Sequence, residues 1–369
     1  MAAESQPRFF DSRAAYMMFV MTTTEKSAIA ERMGREIDQL SLGGSALRIF
    51  DAGLGDARVL AQLMQRIHKV LPYVPWLVVG KEISVEDVRH ALEWLPDRLV
   101  EHPELVFVIT NLPYRQATNL GAGVDEVSWR VNTLEGSTAF EFTQQIRQTH
   151  QAIEKDWVVK TSEKTGNPVP VRPAVHVYFR ADRDFLLRNV VPAKGEENGG
   201  YDLILASQPY RAKASADSKV RSVVGPMAMA LAPGGRLVGV HAHGNDPGLE
   251  IIHNVWPDER PFPVGRHELV TEAARQLADP GLEFPDLSDS ESIFRYELQV
   301  MPSERQEHIG TSSILAAWNA AAYVAQIDEA RLTEALDSGV YIDATRDVLS
   351  RHGAVWFNNE SYLITRRTQ

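Results

Sequence analysis

The residues best suited to chemistry begin with Asp51-Ala52-Gly53-Leu54-Gly55-Asp56, which joins a short apolar run to an amphipathic one. A glycine-rich turn in that setting lets the backbone approach a ligand closely and presents the first amides of the following helix to it. The dinucleotide fingerprint asks for glycine where Arg58 stands, which argues against a nicotinamide cofactor. Ser207-Gln208-Pro209-Tyr210 follows another apolar run, and Asn111-Leu112-Pro113-Tyr114 is a second copy of the same pattern. His241 and His243 titrate near neutrality and are candidate general bases, although a histidine at a strand end is more often structural. His241-Ala242-His243 has no third ligand nearby, so no metal site is expected. The chain has no cysteine, which excludes disulfides, thiolate metal sites and a cysteine nucleophile.

These residues need elements to position them. Residues 46–50 read as a strand, and Val59, Leu60, Leu63, Met64 and Ile67 mark a helix after the glycine turn. A second strand over 76–82 ends on an acid, Glu82, and feeds a helix over 85–95; a third strand at 105–110 ends at Asn111. Upstream, Ile29, Met33, Ile37 and Leu40 recur at helical spacing, with Thr24 as a candidate N-cap. After Tyr114 the alternation stops. An insertion at about 120–198 is expected, with a helix over 137–155, a Pro/Gly-rich turn at 165–173 and a strand over 174–179. The alternation resumes with a buried strand at 201–206, a helix over 220–231, a turn at 232–235 and a strand over 236–241. A helix at 268–277, a strand at 293–300, two helices within 311–351 and a closing strand at 361–366 complete the chain. Alternating strands and helices predict an α/β fold, a doubly wound, mostly parallel sheet with helices on both faces, and the strand-rich end suits an antiparallel edge.

The composition is that of a soluble globular protein, with 44% hydrophobic and 24% charged residues. With 38 basic and 49 acidic side chains the formal charge is -11, a field that repels a long polyanion, so nucleic acid is not an expected partner. The apolar run at 16–21 is shorter than a signal core or a membrane span, and a cytoplasmic protein is the expectation. A homodimer is compatible with the sequence.

The ordered set of features resembles the class I S-adenosylmethionine (SAM)-dependent methyltransferases. Phe50 to Ala57 is similar to that family's first motif, departing at Ala57, where many members have a third glycine. The resemblance implies a seven-stranded sheet and SAM as cofactor, with Asp51, Gly53, Gly55 and Asp56 beneath its methionine and ribose. It places Glu82 and Ile83 at the ribose hydroxyls, and Asn111 and Leu112 beside the adenine, where the family often has Asp. Residues 201–210 followed by 231–238 are similar to the family's fourth strand, helix and fifth strand, and Ser207-Gln208-Pro209-Tyr210 looks like a variant of its Asp/Asn/Ser-Pro-Pro-Tyr motif. Ser207, Gln208, Tyr210 and His241 are therefore the expected catalytic residues. Asn111-Leu112-Pro113-Tyr114 also resembles the motif of ribosomal-RNA adenine dimethylases, and Thr22-Thr23-Thr24-Glu25 faintly resembles a segment of histidine-betaine-forming enzymes. The expected organisation is a helical lid over 1–45 and a SAM-binding domain over 46–369, with a substrate-cap segment at about 245–290. The expected reaction is methyl transfer to N or O of a small-molecule acceptor. The alternatives are transfer to an adenine or amide nitrogen in RNA or protein, and a non-catalytic methyltransferase-like scaffold.

Overall fold

The computed structural model describes residues 13–40, 42, 44–163, 166, 168–299 and 310–368. The expectations for residues 1–12, Ser41 and Gly43 of the lid, for Lys164, Thr165 and Asn167 of the insertion and for Val300 lie outside the described residues. The strands are β1 (Leu47–Asp51), β2 (Trp76–Lys81), β3 (Leu105–Thr110), β4 (Ser128–Leu134), β5 (Val159–Thr161), β6 (Pro168–Pro170), β7 (Ala174–Arg180), β8 (Tyr201–Ser207), β9 (Leu231–Ala242), β10 (Leu282–Glu283), β11 (Ile293–Glu297) and β12 (Trp356–Arg366).

β1, β2, β3, β8 and β9 are parallel and stand side by side in the order β3-β2-β1-β8-β9. They are almost continuously apolar, as strands covered on both faces must be, and β3 is buried at every position. The sheet has ten strands where seven were expected. Its width comes from both flanks: β7 pairs antiparallel with β3 and carries β4, while β12 pairs antiparallel with β9 and carries β10 and β11. The segment expected as an insertion is thus part of the main sheet. Its helix Ala139–Asp156, started by a capping box between Thr138 and Glu141, packs on the helix Val85–Glu101.

One face of the sheet buries Leu63, Ile67, Leu92 and Leu99 from the helices Arg58–Val70 and Val85–Glu101. The other buries Val220, Met227, Leu269 and Ala273. The helices Pro247–Val255, Thr311–Val324, Glu329–Ser338 and Val340–His352 form a third apolar cluster, joined by Phe19 of the helix Arg13–Thr22, whose ring stacks on Tyr323 at 4.9 Å. The N-terminal helix is therefore anchored to the C-terminal helices.

Two local differences from the sequence reading have physical causes. Thr24 precedes the helix Glu25–Gly34 but does not cap it; its hydroxyl accepts from Glu297 N at 2.9 Å, tying the helix start to β11. The stretch expected as a turn at 232–235 is a bulge inside β9, where Gly234 has φ +81° and a Cβ on Gly235 would collide with Tyr201 O. Among the described residues no helix is long and apolar enough to cross a membrane.

Candidate functional site

In an open parallel sheet, ligands bind outside the carboxyl ends of the strands where the winding reverses. Here that place is the junction of β1 and β8, and the cleft there is lined by Lys26, Asp51, Gly53, Asp56, Ser207 and Gln208. The glycine turn leaves β1 and starts the helix Arg58–Val70 with two left-handed residues, Gly55 at φ +52° and Ala57 at φ +62°. Alanine at position 57 therefore holds a backbone angle that favours glycine, at a cost of about 1–2 kcal/mol. Gly53 has no such angle, and what it supplies is space: a Cβ there would stand 3.3 Å from Ser207 O.

Glu82 follows β2 and closes onto this turn. One carboxylate oxygen accepts from Gly55 N at 2.8 Å, and the other from Ile83 N at 2.6 Å and Ser84 N at 2.9 Å. Asp51 accepts from Gly53 N at 3.1 Å, and burial raises its pKa to about 7, against the opposing effect of that bond. Asp56 accepts from Arg58 N and pairs with Arg58 Nε at 3.1 Å. Across the cleft, Lys26 pairs with Glu25 at 3.3 Å. Burial opposes its charge, but Glu25, Tyr16 and Asp56 outweigh that and raise its pKa, so it is a cation at every ordinary pH. Tyr16 brings the N-terminal helix over the turn, its hydroxyl 3.3 Å from where a Cβ on Gly55 would be.

The Asn111 amide is consumed inside the chain: it donates to Asp156 O and Arg172 O, each at 2.9 Å, and accepts from Ala174 N at 2.8 Å. It fastens the 156–174 segment to the end of β3. Leu112 is fully buried in the apolar cluster on one face of the sheet, so its side chain lines no cleft. The Asn111 copy of the motif meets the Ser207 copy all the same, because the Tyr114 hydroxyl donates to Pro209 O at 2.9 Å.

At the end of β8, Gln208 adopts φ +49°, and its side-chain amide donates to Asn359 Oδ1 at 3.3 Å. Tyr210 is half-buried, and its hydroxyl lies 2.8 Å from His241 Nδ1. His241 Nε2 lies 2.8 Å from Glu360 Oε1. Burial lowers the His241 pKa, although Glu360 opposes this, so the ring is neutral. A neutral ring in this position donates its Nε2 proton to the carboxylate and accepts the Tyr210 proton at Nδ1. Glu360 also accepts from Arg266 N at 2.8 Å and pairs with Arg266 Nη1 at 3.1 Å. Burial alone would raise the Glu360 pKa, but bonds from His241 and His243 carry it well below the usual carboxylate range. His243 lies 3.4 Å from the other Glu360 oxygen, and that contact raises its pKa. The chain Tyr210, His241, Glu360 is thus a buried sequence of a weak acid, a neutral base and a fixed anion, able to take up one proton at the strand ends.

The structure brings Ser207, Gln208, Tyr210 and His241 together at the carboxyl ends of β8 and β9, beside the glycine turn of β1. Sequence reasoning missed Lys26, Asn359, Glu360 and Tyr362, whose hydroxyl lies 3.4 Å from that of Tyr210. A sequence signal existed for Glu360, an acid inside the otherwise strand-like run 356–364, but none indicated that β12 would lie beside β9. Within the segment expected as a substrate cap, the helix Arg266–Leu277 covers the sheet and supplies the counter-charge to Glu360.

No protein-family model matches the sequence, and no curated protein matches it. Among solved structures, the chain is similar to a geranyl diphosphate methyltransferase in complex with GPP and sinefungin, at 11% identity, 92% coverage of this chain, 77% of that chain and TM-score 0.32. It is similar to a candidate sarcosine dimethylglycine methyltransferase from Galdieria sulphuraria at 10% identity, 92% and 85% coverage and TM-score 0.33. It is also similar to the Haemonchus contortus phosphoethanolamine N-methyltransferase 2 in complex with S-adenosyl-L-methionine, at 9% identity, 93% and 99% coverage and TM-score 0.22. Likenesses this loose carry no argument about activity, which has to be read from the site itself.

Proposed function

We propose that this chain is a class I SAM-dependent methyltransferase that methylates N or O of a small-molecule acceptor in the cytoplasm. The observation that carries the reading is the Glu82 carboxylate hydrogen-bonded to the Gly55 amide, which sets an acid and a glycine cradle together at the reversal point of the sheet. The residues fit SAM. The cradle at Gly53 is one that a Cβ would fill, Glu82 is an acceptor for ribose hydroxyls once released from Gly55, and Lys26 is a cation suited to the amino acid carboxylate.

When bound, SAM supplies an electrophilic methyl whose carbon–sulfur bond breaks as the acceptor's lone pair forms the new bond, the displaced pair returning to sulfur. The chain's own work is alignment and proton management. Gln208 and Tyr210 stand at the end of β8 to orient the acceptor, and Tyr210 with His241 can take the acceptor's proton while Glu360 stabilises the resulting imidazolium. The acidic surface and the burial of Asn111 and Leu112 favour a small molecule over RNA.

Replacing Glu82 with alanine is expected to weaken SAM by about 1–3 kcal/mol, the worth of charge-assisted bonds to hydroxyls. Calorimetry tests this, and an unchanged Kd would restrict Glu82 to holding the turn. Gln208→Ala and Tyr210→Ala are each expected to slow single-turnover methyl transfer at least tenfold, about 1.4 kcal/mol of barrier, with little change in SAM affinity. The assay is the transfer of labelled methyl from SAM into a small-molecule extract. Parent-like rates in both variants would move the acceptor site away from β8, and SAM binding with no transfer by the parent would favour a scaffold.

A further inference from the structure

Lys219 is buried, at 2% exposure, and the active-site reading above leaves it unused. Its ammonium lies 4.8 Å from the centre of the Tyr210 ring. It ends the short helix Ala216–Lys219, and the next turn, Val220–Val224, is a π-helix. A π turn is rare and is frequently found at functional sites. Gly225 accommodates it, since a Cβ there would stand 2.9 Å from Val220 O.

The charged and titratable groups facing Lys219 are Glu268 on the helix Arg266–Leu277, Glu360 on β12, His241 on β9 and Tyr210 after β8. Among the described residues it forms an ion pair with none of them. A buried ammonium without a counter-ion is expensive, and the face of one tyrosine recovers only part of that cost. Burial accordingly lowers its pKa to about 8, with Glu268 and Glu360 pulling the other way. The group is still mostly protonated at neutral pH, and an incoming anion would complete it.

We propose that Lys219 is the anion anchor of the acceptor subsite beside Tyr210, so that the methyl acceptor is a small molecule carrying a carboxylate or a phosphate. The inference rests on the methyltransferase reading of the same site and adds the substrate class. Lys219 binds the acid group, and Tyr210 meets the part of the molecule to be methylated.

Two measurements test it, the first independent of methyl transfer. Inorganic phosphate and acetate, titrated separately, should raise the thermal midpoint of the parent chain, and the Lys219→Met variant should lose that response while Lys219→Arg keeps most of it. A K219M variant stabilised as much as the parent overturns the anchor, whatever SAM does. The second incubates the full chain with methyl-labelled SAM and a small-molecule extract, then passes the products over an anion exchanger. Label is expected in the retained fraction, with phosphatase treatment releasing it if the acid is a phosphate and leaving it if a carboxylate. K219M should raise the apparent KM for the retained acceptor at least tenfold, more than it lowers kcat, at an unchanged Kd for SAM. Label in the unretained fraction, or a parent-like KM in K219M, overturns the proposal. Ion stabilisation lost in K219M from a parent that binds no SAM would instead support the anchor and defeat the methyltransferase reading.

Discussion

Valine at position 53 is expected to abolish SAM binding while leaving the protein folded. Gly53 lies on the cleft wall between Asp51 and the end of β8, and its first added carbon would stand 3.3 Å from Ser207 O. The two methyls of valine would project beyond that carbon into the cradle, which the Glu82 side closes from above. Because Gly53 has no left-handed angle, the substitution does not strain the backbone, whereas the same change at Gly55, with φ +52°, would. We expect the Kd for SAM to rise at least ~100-fold, about 2.7 kcal/mol, with unchanged circular dichroism and thermal midpoint. Calorimetry on Gly53→Val gives the answer, and a folded variant with parental affinity would remove the glycine turn from the cofactor site.

Replacing Glu360 with alanine is expected to be the most destabilising single change near the site. Its carboxylate is 3% exposed and is shared by His241, Arg266 and, more loosely, His243. Without it, the Arg266 guanidinium, itself only 6% exposed, keeps Asp289 and Leu287 O as partners but loses its buried counter-ion. Breaking a buried pair by removing one partner costs roughly 3–5 kcal/mol, because the remaining charge stays desolvated. Urea unfolding should show the loss, and a midpoint within error of the parent would mean that the pair is not buried in solution. The sign with pH follows from the depressed Glu360 pKa. Its contribution is fully present above the unfolded carboxylate value of about 4.3 and is lost as the pH falls through the lower folded value. The gap between parent and Glu360→Ala should therefore narrow in acid.

The parallel centre of the fold was legible because its information is local. A buried strand, a tight turn and an amphipathic helix each occupy a short window, and two such units and a third strand precede Tyr114. The glycine turn was readable for the same reason, since Gly55 must supply a left-handed angle just where β1 ends. What stayed hidden was pairing across distance. Asn111 was read from its place after a strand, but the partners that consume its amide are 45 to 63 residues away. The strand at 174–179 was recognised as a strand, yet nothing in its pattern says that it runs antiparallel beside β3 and widens the sheet. Lys26 directly follows Thr22-Thr23-Thr24-Glu25, and its place at the cleft comes from a fold that brings the helix Glu25–Gly34 against Arg58–Val70. Lys219 had no sequence signal at all, because a lysine in a polar helix start reads as solvated.

The placement of β12 has a kinetic consequence. It follows all the other strands in chain order yet lies between β9 and β10, and its Glu360 meets His241 across 119 residues. Contacts of such separation must wait for a large loop to close, and they form late and slowly. During synthesis the five parallel strands leave the ribosome first, with the outer edge of β9 exposed as unpaired amides and carbonyls until β12 arrives. An unfinished chain therefore exposes an open sheet edge, and the step that protects this edge is the same one that delivers the carboxylate to His241.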